Sequence, residues 1–114
     1  MARILIDADT VAVHMDGIER AGTFHTHVEV PRDRITAAEV VDEPFLTIRG
    51  LRAPGIGWPR RIAIGRWRQR GGGKDLVVVR RGERAVRIDL DGAEGYRRLL
   101  IGHPDPEQVV ADLA

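Results

Sequence analysis

The chain has 114 residues, 43% of them hydrophobic and 31% charged, with a net charge of +1 and no cysteine. That length suits one domain, 1–114, with a real apolar core. No apolar run nears the roughly 18 residues of a membrane-spanning helix, and disulfides, thiolate metal sites and cysteine nucleophiles are excluded.

Met1 to Asp7 places an acid after three apolar residues, so no secretory leader is read there and a cytoplasmic location is expected. Ala2 to Asp7 and Thr10 to Met15 read as a strand hairpin around Ala8-Asp9. In the second strand Val11, Val13 and Met15 share one face, and Ala12 and His14 the other. Gly17 to Gly22 fits one helical turn. Thr26 to Val30 is a strand with Val28 and Val30 inward, ended by Pro31, which has no N–H to donate. Ile35 to Val41 tolerates helix, but its length and Val40-Val41 favour a strand. Phe45 to Ile48 is a short extended piece, and the Gly- and Pro-rich Gly50 to Pro59 is a loop.

Arg61 to Gln69 alternates again, but Trp67 falls out of phase with Ile62 and Ile64; a bulge at Gly65 would restore the phase. Gly71-Gly72-Gly73 turns the chain into Leu76 to Val79. Gly82 serves a tight hairpin turn into a strand with Val86, Ile88 and Leu90 inward, and Tyr96 to Ile101 is the last strand. Asp105 then suits a helix N-cap, Pro106 the first helical position and Gln108 the third. A capping box is therefore expected at the head of a helix over about 105–113, with Val109, Val110 and Leu113 on one face. Such a short helix must pack on something apolar. The order predicts a mainly β fold of seven or eight short antiparallel strands, forming a partly open barrel capped by the C-terminal helix.

Gly50-Leu51-Arg52-Ala53-Pro54-Gly55, then Ile62-Ala63-Ile64-Gly65-Arg66-Trp67, then a hairpin and His103-Pro104-Asp105-Pro106-Glu107 carry a family resemblance. This layout is similar to small bacterial proteins with a pleckstrin-homology-like (PH-like) domain. Arg60 and the basic hairpin at Arg80-Arg81-Gly82 depart from the pattern. The resemblance implies a PH-like barrel; it implies no particular activity, because such barrels host lipid binding, peptide binding and plain assembly.

The charge is uneven. Residues 1–47 carry four basic and nine acidic side chains, residues 48–87 twelve and two, and residues 88–114 two and six. Either basic strands pair with acidic neighbours across one sheet, or they form an anion-binding face. The candidates for such a face are Arg60, Arg61, Arg66, Arg68, Arg80 and Arg81, with Arg70, Arg84 and Arg87 nearby and Trp58 and Trp67 as stacking partners. A phospholipid headgroup or phosphate is the ligand they would take; low aromatic content and the lack of a recognition motif disfavour nucleic acid. His25 and His27, two apart, can face one way, with His14 or His103 as a third ligand. Nothing in the spacing fixes that third ligand, so surface histidines and no metal or cofactor are expected. With no serine and no cysteine, no catalytic constellation emerges and an enzyme is not expected. The leading expectation is a non-catalytic module that binds another protein or its own copies, because an open barrel leaves strand edges that association covers.

Overall fold

A computed structural model describes residues 2–15, 27–49, 51–52, 56–58, 62–91 and 95–114. Eight strands of four or more residues are found among them: β1 (Arg3–Ile6), β2 (Thr10–His14), β3 (His27–Pro31), β4 (Ile35–Val41), β7 (Ile62–Arg68), β8 (Lys74–Arg80), β9 (Ala85–Leu90) and β10 (Tyr96–Gly102). Two shorter pieces, β5 (Leu51–Arg52) and β6 (Ile56–Trp58), pair with the outer side of β7. One helix, α1 (Pro106–Leu113), follows. The strands form a three-stranded sheet, β1-β2-β3, and a larger sheet ordered β4-β9-β10-β8-β7 with β5 and β6 beyond β7.

The fold is therefore mainly β with a C-terminal helix, and its eight main strands lie in two sheets that do not close into a barrel; the expected all-antiparallel order is corrected, because one pair is parallel. β10 runs parallel to β8 and antiparallel to β9, and lies between them. The turn at Gly82, which has a φ of +85°, thus does not close a paired hairpin. Arg81 to Arg84 instead cross over the end of β10, where the His103 N–H donates to the Arg84 carbonyl at 3.1 Å. The crossing is tight: a Cβ on Gly102 would sit 2.8 Å from Cδ of Glu83, whose carboxylate accepts from the Arg80 N–H at 2.7 Å. Consecutive strands usually pair, which is why a short Gly-containing turn reads as a hairpin from sequence.

Alternation sets which residues meet. Val11, Val13, Met15, Val28 and Val30 from the small sheet face Ile64, Leu76, Val78, Val86, Ile88, Leu99 and Ile101 from the large one, and Val109 of α1 joins them. The helix packs on β4, β9 and β1, so it closes the seam between the two sheets. Val110 and Leu113 pack against the same core. Arg32 ties this corner together, donating to the Asp7 carbonyl and to the Asp112 carbonyl at the end of α1, each at 2.9 Å.

Three local expectations are corrected. First, β7 and β8 pair without a break from Ile62↔Arg80 to Arg68↔Lys74, so no bulge occurs at Gly65. Trp67 instead faces the other side of the sheet, where a second apolar cluster joins it to Ala63, Val77, Val79, Ala85 and Leu100. The sheet is buried on both faces there, and period-two alternation cannot express that. Second, Pro44–Leu46 is a 3-10 turn rather than an extended piece, and β5 and β6 lie inside the expected loop 50–59. Third, the helix cap is half a capping box. Asp105 accepts from the Gln108 N–H at 3.4 Å, but the Gln108 side chain turns forward to Asp112 at 2.8 Å. His103 Nδ1 takes the Asp105 N–H in its place, at 2.9 Å. The expected turn at Gly17 to Gly22 and the turn at Gly92 lie outside the described residues.

Candidate functional site

Of the candidate arginines, Arg66 and Arg68 lie on β7, Arg80 ends β8 and Arg81 follows it. Arg60 and Arg61 lie outside the described residues. Because β7 and β8 are antiparallel, Arg68 sits beside Lys74 while Arg80 sits beside Ile62. Arg68 is thus at one end of the strand pair and Arg80 at the other, about 20 Å apart at 3.3 Å per residue, with Arg66 between them about 13 Å from Arg80. Arg66 is half-buried near Tyr96. Burial pushes the Tyr96 hydroxyl pKa up, and the neighbouring Arg66 cation opposes that shift. Lys74 Nζ lies 4.8 Å from the centre of the Tyr96 ring, a cation–π contact. Trp67 is buried, with 7% of its surface exposed, so it offers no stacking platform. The Trp58 side chain lies outside the described residues.

Arg49, Arg84 and Arg87 of the basic stretch pair with carboxylates, as does Arg98 of β10. Register brings Asp89, Arg98 and Asp75 side by side on β9, β10 and β8, alternating in sign. Arg98 Nε is 2.6 Å from Asp89, and Arg87 bridges Asp89 at 3.3 Å and Glu39 at 2.9 Å. Asp75 is only 2% exposed and meets Arg49 through Nε at 2.8 Å. That carboxylate raises the pKa of Arg49 further. Arg84 bridges Asp42 and Glu107, which lowers the pKa of Glu107. The exposed bridges of Arg84 contribute little individually, and none of these pairs involves Arg66, Arg68, Arg80 or Arg81.

Two surfaces among the described residues bear on binding. A cavity of about 450 Å³ beside the Arg81–Arg84 crossing is lined by Asp42, Glu43, Phe45, Leu46, Arg81, Glu83 and Arg84. Its wall mixes acids and bases and carries no histidine or hydroxyl nucleophile. The second surface is β4, which is last in the strand order. No strand pairs with its other side among the described residues. A smaller cavity of about 210 Å³ runs beside it, between Ile35 to Ala38 and Val110, Leu113 and Ala114.

No protein-family model, curated protein or solved structure matches the chain. What the chain does must therefore be argued from its surfaces. Sequence reading expected an open strand edge but did not single out β4. The missing cue was the position of β10, because placing it between β8 and β9 is what leaves β4 outermost. The pairing of His14 with His27, by contrast, follows from the antiparallel register of β2 with β3, which the Val13↔Val28 match implies.

Proposed function

We propose that the chain is a non-catalytic assembly module whose β4 edge pairs antiparallel with β4 of a second copy. The carrying observation is the edge itself: seven residues, Ile-Thr-Ala-Ala-Glu-Val-Val, with no proline or lysine to discourage pairing. The other edges differ. β1 has four residues, β3 ends in Pro31, and β5 and β6 have two and three. The one charge on β4, Glu39, is held by Arg87. A two-fold axis at Ala38 sets Glu39 of one copy opposite Ala37 of the other, so like charges do not directly oppose. The groove along Val110 and Leu113 gives partner side chains an apolar wall. The PH-like resemblance supports a binding role without choosing the partner. The alternative is an anionic headgroup or phosphate on residues 60–87, where Arg68 and Arg80 stand at opposite ends of the β7–β8 pair.

Sedimentation equilibrium tests the pairing. Against the 12.7 kDa chain mass, a dimer should give about twice that value, and Ala37→Lys should return it to the monomer while far-UV circular dichroism stays unchanged. A monomer at every concentration, or a dimer indifferent to Ala37→Lys, would refute β4 pairing.

A further inference from the structure

We infer that His14 and His27 form a two-imidazole site for a divalent transition metal, with copper(II) the best match. The two residues are register partners on β2 and β3. His27 Nδ1 and His14 Nε2 are 2.9 Å apart, and the rings meet edge to face with centroids 4.4 Å apart. Two adjacent ligands at a right angle, each about 2.0 Å from a metal, stand about 2.8 Å apart, so the facing nitrogens already have the spacing of neighbouring positions in a square-planar centre. Such tetragonal nitrogen sites suit copper(II) and nickel(II), and copper(II) binds most strongly in the divalent series.

A second observation supports the same assignment. Glu29 Oε2 lies 3.2 Å from His27 Nε2, the nitrogen turned away from His14. The carboxylate accepts the Nε2–H, which leaves the lone pair on Nδ1, facing His14. A carboxylate behind a ligating imidazole is the usual outer-shell arrangement in metal sites: it fixes the tautomer and raises ligand basicity. Without metal, His14 Nε2–H donates to that lone pair. On binding, the proton moves through water to Nδ1 of His14, so both facing nitrogens present lone pairs. Among the described residues no group of three His, Cys, Asp or Glu converges. His25, which the sequence pairs with His27, lies outside the described residues. The strands hold both ligands in place before the metal arrives.

The full chain titrated with copper sulfate at neutral pH, in a weakly coordinating buffer, tests this. One equivalent should bind, with a visible d–d band and nitrogen hyperfine splitting in the electron paramagnetic resonance spectrum. Glu29→Gln should weaken binding about tenfold, and His14→Ala or His27→Ala more than that, because even an outer-shell loss costs about that much. His103→Ala should leave copper affinity unchanged. Far-UV circular dichroism reads whether each variant keeps its strands. Copper affinity in a His14→Ala, His27→Ala double variant equal to that of the parent, or no stoichiometric binding by the parent, would overturn the assignment.

Discussion

Truncating Leu99 to alanine should lower the unfolding free energy by about 2–5 kcal/mol, the range for deleting most of a fully buried aliphatic side chain. Leu99 is 0% exposed and sits on β10, paired with β9 on one side and β8 on the other. Its side chain belongs to the cluster shared by both sheets and the helix, so collapse around the void would have to move three layers at once. Natural domains hold only about 5–15 kcal/mol of net stability, so this single change removes a large share. Leu5 serves as the control: at 50% exposure, its alanine variant should stay within about 0.5 kcal/mol of the parent. Urea unfolding measures both. Equal midpoints for the two variants would mean that β10 is not central.

Arg49→Met should cost about 2–3 kcal/mol, below the roughly 3–5 kcal/mol for breaking a fully buried ion pair, because Arg49 itself is 42% exposed. The cost arises at the partner. Asp75 is buried on the face that carries Trp67 and Val77, and without Arg49 its charge loses the guanidinium that pairs with it. The reciprocal change, Asp75→Asn, leaves no buried charge, so adding it to Arg49→Met should recover part of the loss. A double-mutant cycle by urea unfolding should therefore show a coupling above about 1 kcal/mol. Additive losses would mean that the two groups act independently.

How far the sequence foretold the structure depended on whether one face of each strand was polar. β2 and β3 alternate cleanly, and both their positions and their inward valines follow from period two. The helix declared itself through Asp105 and Pro106, although His103 displaced Gln108 from half of the expected cap. β7, β8 and β10 are buried on both faces, so their phase carried little information and Trp67 was assigned to the wrong side. The placement of β10 between β8 and β9 is set by long-range packing and by room for the Glu83 carboxylate above Gly102, and no local pattern encodes it. The same limit applied to charge. The run of arginines was visible, but its carboxylate partners come from β4, β9 and the helix, up to dozens of residues away in sequence.

Amide hydrogen exchange along β4 tests the assembly claim most directly. At concentrations where the chain is a dimer, amides of residues 36–40 should be protected on both sides of the strand; dilution or Ala37→Lys should release every second one, while β9 amides stay slow. If alternate β4 amides exchange freely at every concentration, the edge is open to water and the proposed pairing is wrong.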